Sequence, residues 1–288
     1  MGEMDNKIVL VTGATNGIGK AAALELAKKS AKVVIVGRNP AKTQATVSEI
    51  KLQSGSTAVE LLIADLSSMA EVRRLAEEFR QRYARLDVLV NNAGAYFASR
   101  QETVDGYEQT FALNHLSYFL LTNLLLDMLK ASAPARIVNV SSDAHSAKFN
   151  FDDLQSTQSY GSAGFGVYGQ SKLANILFTY ELARRLAGTG VTVNALHPGV
   201  VSTGFGENNR GLMRVAMKIM HRFAMSPEKG AETITYLASS SEVEGVTGKY
   251  WDKSKAIQSS AGSYDEADQK RLWEISEQMT GLAATAGV

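Results

Sequence analysis

The sequence has no cysteine, only 4 prolines, almost no net charge and no long apolar run. Without cysteine there is no disulfide, no thiolate nucleophile and no cysteine-ligated zinc or iron–sulfur site. Lysine and arginine number 30 against 29 acids, a net charge of +1. That balance offers no field to hold nucleic acid or an anionic membrane by bulk attraction. No uninterrupted apolar stretch approaches the ~18 residues needed to span a bilayer. The most apolar one, Leu116 to Leu129, carries Ser117, Thr122, Asn123 and Asp127. The opening MGEMDNK lacks an apolar signal core, and Asn6 stands where a myristoylation signal has Ser or Thr. The histidines, at 115, 145, 197 and 221, fall on unrelated segments without metal-ligand spacing, so no metal is expected. His145 is expected near a pocket and the others in structural or surface roles. A soluble chain is expected, and the absence of cysteine suits a cytoplasmic location.

What is present is an alternation of short β-type runs with longer helical ones. The runs are Lys7–Thr12, Lys32–Gly37, Ala58–Asp65, Leu86–Asn92, Ala135–Ser142, Val191–Pro198 and a weaker Thr247–Trp251. The strong ones are nearly continuous Val, Ile and Leu, as in parallel strands covered on both faces. Asn39-Pro40 and Ser226-Pro227 read as helix caps followed by proline, and Ser68 with Glu71 as a capping box. Helices are also read at 18–29, 42–53, 103–130, 168–187, 209–223, 227–240 and 264–279. This order predicts an α/β, doubly wound, three-layer fold with a parallel sheet of about seven strands. With no linker and no internal repeat, residues 1–288 are expected to form one domain. A chain of this size buries roughly 75% of its unfolded surface and needs no staples.

After the first strand comes Thr12-Gly13-Ala14-Thr15-Asn16-Gly17-Ile18-Gly19, running into a helix. Glycines there permit a tight turn and close approach of main chain to a pyrophosphate, which the helix start favours. No Gly-Lys-Ser/Thr follows, so a P-loop kinase or GTPase is disfavoured. The second strand ends in Gly37-Arg38, where NAD-specific sites have an acid for the ribose 2′-hydroxyl. Gly37 leaves space and Arg38 suits the 2′-phosphate of NADP; a strand-end arginine that only solvates the edge is the alternative. Asp65-Leu66 and Asn91-Asn92-Ala93-Gly94 end the third and fourth strands, on the ligand side of such sheets. Asp65 is expected near the adenine amino group and Asn92, Ala93 and Gly94 against the cofactor, although the tetrapeptide also reads as a simple turn.

Tyr168 and Lys172 stand four apart at a helix start and share a face. An ammonium about 4 Å from the phenol contributes about 4 kcal/mol at an effective dielectric of ~20, nearly three pKa units. That would bring the phenol towards working pH. Ser141 and Ser142 close the fifth strand, where a hydroxyl can donate to a carbonyl oxygen gaining charge. One of the pair serves equally as a turn cap. Asn114 lies among apolar helical neighbours, either as a functional group or as a main-chain clamp.

TGATNGIG, NNAG, Asn114, VNVSS, YGQSK and HPG occur in the order of the short-chain dehydrogenases/reductases, and the chain resembles that family along nearly its whole length. NHLxxFLLTNLLL, FDDLQ, KLANILFTYELARRLAGTGV, LHPGVVST and RLWEISEQMTGL look closest to its retinol dehydrogenase-like branch. The resemblance implies a Rossmann-type domain with a substrate lid at about 203–225 and a C-terminal helix at about 264–280. It implies Tyr168 as general acid/base, Lys172 lowering its pKa and bonding the nicotinamide ribose, and Ser142 steadying the carbonyl oxygen. Asn114 would hold a water linking Lys172 to solvent. Pro198, Gly199, Val200 and Thr203 would border the nicotinamide. Homo-oligomers through the helices at 103–130 and 168–187 are common in the family.

Tyr168 stands farther past Ser142 than in most members, and Asp143–Val167 is the insertion. Ser156, Ser159 and Ser162 within it are weaker catalytic candidates. Ser117-Tyr118 replaces the Gly-His common in the branch. Met213, Met217, Met220, Phe223 and Met225 read as core packing or as an adaptable lid. With Tyr96, Phe97 and Phe165 they point to a bulky apolar carbonyl or alcohol, reduced or oxidised with NADP in preference to NAD. Two rivals are weaker: a protochlorophyllide reductase-like enzyme, disfavoured by the missing cysteine, and a non-catalytic dinucleotide sensor, disfavoured by the intact catalytic positions.

Overall fold

The computed structural model describes residues 3–146, 149–161, 163–199, 201 and 225–282. The helix expected at 209–223, Val200, Thr203, Ser162 and the lid short of Met225 lie outside the described residues. The strands are β1 (Ile8–Thr12), β2 (Lys32–Gly37), β3 (Val59–Ile63), β4 (Val88–Asn91), β5 (Ala135–Val140), β6 (Val191–His197), β7 (Tyr250–Asp252) and β8 (Lys255–Ile257). They form an 8-stranded sheet in the order β3-β2-β1-β4-β5-β6-β7-β8. All pairs are parallel except β7 with β8. β1 lies between β2 and β4, so the chain reverses its direction of travel there and opens a crevice at the strand ends.

Successive residues of each strand face opposite layers. Leu10, Val34, Leu62, Leu89, Ile137 and Val193 enter one core, while Val9, Val11, Ile35, Val90, Val138 and Leu196 enter the other. Burial on both faces explains why the strand runs read as continuously apolar. One face is covered by α1 (Gly17–Lys28), α2 (Pro40–Ser54) and α8 (Pro227–Ser239). The other is covered by α3 (Met69–Arg82), α5 (Ser117–Leu124), α7 (Phe165–Arg185) and α9 (Glu266–Thr280).

The helix expected over 103–130 is not continuous. Glu108, buried, accepts from the backbone N–H groups of Thr110 (2.8 Å) and Phe111 (2.7 Å), starting α4 (Gln109–Phe111). A π-helical turn, Ala112–Leu116, follows, then α5 and α6 (Leu126–Ala131). Within that turn the Asn114 carbonyl accepts from Asn175 Nδ2 at 2.9 Å, a bond made across helices and invisible to local periodicity. β8 was also unanticipated. Its hairpin turns through Lys253 and Ser254, both at positive φ, without the Asn-Gly or Asp-Gly that announces such turns.

Candidate active site

A cleft of about 740 Å³ opens at the strand ends around β1 and β4. Its end beside β1 is built by stitching two loops together. Asn92 Nδ2 donates to the carbonyls of Thr12 (2.8 Å) and Gly13 (3.2 Å), and Thr12 Oγ1 accepts from the N–H groups of Asn92 and Ala93. Gly13 has φ +65, and a Cβ there would stand 2.6 Å from Ala93 Cα. At Gly19 a Cβ would collide with Asn92 Nδ2. The turn is therefore all main chain on its inner side. Helix α1 begins at Asn16 with no side-chain cap and no acid in its first turn, so its free N–H groups and dipole are left for an anion. Gly13, Thr15, Asn16, Gly17, Ile18 and Gly19 all line the cleft.

Next along the cleft lie Gly37, Arg38, Asp65 and Leu66. Gly37 lines the cleft, and a Cβ there would crowd Thr43 Oγ1 and Thr15 Cγ2. Arg38 is exposed, its side chain 76% accessible, and reaches Asp65 at 3.6 Å. Asp65 Oδ1 also accepts from Ser67 N (3.0 Å) and Oγ (2.7 Å), so that carboxylate is held by its own loop. Asn92, Ala93 and Gly94 continue the wall towards the chemical end.

There Ser142, Tyr168 and Lys172 line the cleft together with Pro198 and Gly199. Ser141 and Ser142 separate cleanly. Ser141 is buried and donates to the Lys172 carbonyl at 2.8 Å. Ser142 Oγ accepts from Ala144 N at 3.2 Å, which leaves its one hydrogen for a partner in the cleft. Its bond with Tyr168 pulls that phenol's pKa down, but burial outweighs it and pushes Tyr168 up to about 12. Burial likewise brings Lys172 down to about 7. Lys172 Nζ donates to the Val140 carbonyl at 3.1 Å and lies 5.7 Å from the Tyr168 ring centroid. Desolvation is the largest cause at both groups.

Asn114 is fully buried and does not line the cleft. Its Oδ1 accepts from Ala95 N at 2.9 Å, and its Nδ2 donates to Ala95 O and Ser171 Oγ, each at 3.0 Å. The side chain clamps the loop after β4 to α7. A Cβ on Gly94 would sit 3.2 Å from Asn114 Oδ1 and 3.3 Å from Lys172 Nζ, which explains glycine there.

The insertion forms a side wall pinned to the loop after β4. Tyr160 donates to the Phe97 carbonyl (3.2 Å), Arg100 Nε donates to the Gln155 carbonyl (2.9 Å), and Tyr96 donates to the Ala163 carbonyl. Phe97 lines the cleft, whereas Tyr96 is buried, stacked on the exposed Phe165 and edge-on to Tyr168. Ser156 and Ser159 do not line it. The histidines exchange their expected places. His145 is buried away from the cleft, while His197 lines it and accepts from Asp143 N at 3.1 Å. Gln109 and Leu113 also line it; the α4 start that aims them has no strong sequence signal.

A family model for short chain dehydrogenase matches residues 7–212. Human retinol dehydrogenase 14 is 44% identical over 98% of this chain and 88% of its own length. Human polyprenol dehydrogenase is 41% identical over 96% of this chain and 86% of its own. Among solved structures, a protein of Mycobacterium paratuberculosis has a TM-score of 0.77 and 32% identity, covering 96% of this chain and 94% of that one. A short chain dehydrogenase of Escherichia coli CFT073 complexed with NADPH has a TM-score of 0.70 and 25% identity, covering 88% and 98%. The chain belongs to the short-chain dehydrogenase/reductase family, in its retinol dehydrogenase-like branch. It is an oxidoreductase of the nicotinamide dinucleotide type. Among the described residues, no helix is long and apolar enough to cross a membrane.

Proposed function

We propose that the chain interconverts a carbonyl and an alcohol on a bulky apolar substrate of retinoid or polyprenol type, with NADP(H) preferred and Tyr168 as acid/base. The observation that carries this reading is the meeting of Ser142, Tyr168 and Lys172 at the far end of the cleft that the glycine turn opens. The uncapped start of α1 fits a pyrophosphate. Arg38 supports a 2′-phosphate, and position 37 carries no acid for a ribose hydroxyl. Lys172 would hold the nicotinamide ribose, with Pro198 and Gly199 beside the ring. When bound, the dinucleotide supplies or takes up the hydride.

The chain's own residues manage the proton. With its pKa raised to about 12, Tyr168 is protonated at neutral pH and suited to donate from Oη to a carbonyl oxygen as charge builds there. Ser142 Oγ–H donates to the same oxygen. Human retinol and polyprenol dehydrogenases among the relatives and Phe97 in the wall support an apolar substrate. The test is NADPH consumption with all-trans-retinal, long-chain aldehydes and small hydrophilic ketones. Turnover of the last group alone would refute the substrate class. Tyr168→Phe should lower kcat about a thousandfold and leave NADPH affinity within about twofold; full activity would sink the mechanism.

A further inference from the structure

His145 sits in the 3₁₀ turn Asp143–Ser146 directly after Ser142, only 7% exposed. Its two ring nitrogens face partners that act in one direction only. Nδ1 lies 2.8 Å from the Ser142 carbonyl, which can only accept. Nε2 lies 3.0 Å from the main-chain nitrogen of Ser260, which can only donate. These two contacts require a neutral imidazole with its hydrogen on Nδ1. The Ser260 hydroxyl adds a bond to the His145 carbonyl at 3.2 Å, and the Tyr250 ring packs 4.8 Å away with its hydroxyl 3.3 Å from Nδ1.

The segment that holds the imidazole is itself anchored to the catalytic helix. Ser259 Oγ is 2.6 Å from the hydroxyl of Tyr180, on the same α7 that carries Tyr168 and Lys172. Ser263 closes the turn by donating to the Ser260 carbonyl at 2.6 Å. On the cleft side, the Ser142 Oγ acceptor role is already taken by Ala144 N. The Ser142 carbonyl is thereby held by His145 Nδ1 and also accepts from His145 N at 3.2 Å, while Ala144 N holds the Ser142 Oγ and its hydroxyl bonds Tyr168.

We propose that His145 is a positioning residue for Ser142, tying it through Nδ1–H and Nε2 to the C-terminal Ser259–Tyr264 turn. No step of the proton chemistry passes through His145. Its work is to hold the main chain from which a neighbour's hydroxyl projects, as supporting groups around a reacting centre do.

The kinetic part of the test rests on the carbonyl–alcohol reading above; the spectroscopic part does not. In the full chain, imidazole ¹⁵N shifts assigned by comparison with His145→Gln should show the neutral Nδ1–H form, and the Nε2–H form overturns the proposal. With all-trans-retinal and NADPH, His145→Leu should lower kcat about tenfold while the KM for NADPH stays within about twofold. In a Ser142→Ala background the same change should cost less than about twofold, since nothing is left to position. Equal fractional losses in both backgrounds overturn the proposal. Ser260 offers a gentler pair. Its φ of −60 already suits proline, so Ser260→Pro removes the donor N–H while Ser260→Ala keeps it. The proline variant should lose about fivefold in kcat and the alanine variant less than about twofold; equal values for the two refute the tie. If wild-type protein turns over no carbonyl, the proposed activity fails while the ¹⁵N result still decides the role of His145.

Discussion

At one end of the cleft the groups that face a ligand are main-chain N–H donors; at the other they are side chains. Helix α1, which opens onto the dinucleotide end, has no side-chain cap, whereas α2, α3, α8 and α9 are capped by Asn39, Ser68, Ser226 and Asp265. The other end presents the side chains of Ser142, Tyr168 and Lys172, and burial displaces the titration of the last two in opposite directions. A main-chain site fails when atoms are added to it. A side-chain site fails when atoms are removed, and it alone carries a desolvation cost that pH can reveal.

The largest effect expected at the main-chain end comes from a single methyl. Gly13→Ala places a Cβ on a residue at φ +65 and 2.6 Å from Ala93 Cα, and neither the torsion nor the backbone neighbour can yield cheaply. Strain of roughly 1–3 kcal/mol at the turn should weaken NADPH by roughly 10- to 100-fold in a tryptophan-fluorescence titration. Unchanged affinity would mean that the turn does not bind through its main chain.

The same contrast governs what could be read from the sequence. The glycine turn, the strands around it and the Tyr168–Lys172 spacing are local patterns, each within a few residues of its cause. Features set by distant partners were not legible. The crowding around Gly37 by Thr15 and Thr43 is one. The break in the 103–130 segment depends on Glu108 and Asn175. His145 lies in the turn after β5 and His197 ends the adjoining β6, and only packing decides which of them faces the cleft. The height of the Tyr168 pKa is a burial effect, and spacing says nothing of burial. The β7–β8 hairpin turns on Lys253 and Ser254 in a conformation those residue types seldom announce.

Arg38 is the exception at the dinucleotide end, a side chain in a main-chain site. It is exposed and its contact with Asp65 is long, 3.6 Å, so it contributes little to stability and is free to turn towards a 2′-phosphate. Arg38→Ala should weaken NADPH about tenfold and NADH less than about twofold, the loss of one charge-assisted pair. Equal losses for the two cofactors would show that the arginine only solvates the strand end.

The smallest expected effect isolates the desolvation cost at the chemical end. Lys172, only 4% exposed, has its pKa lowered from 10.5 to about 7. Between those values the unfolded chain binds a proton that the folded chain does not, so stability rises with pH across that window. Below about pH 7 the folded protein bears the full penalty of a buried ammonium. Lys172→Met keeps the volume and removes the charge. The Val140 carbonyl then retains Asn175 Nδ2 at 3.4 Å. The variant should melt a few degrees above wild type near about pH 6, with the gap closing as pH approaches about 10. A gap that stays constant across that range would locate the difference in packing and remove burial as the cause of the shifted lysine.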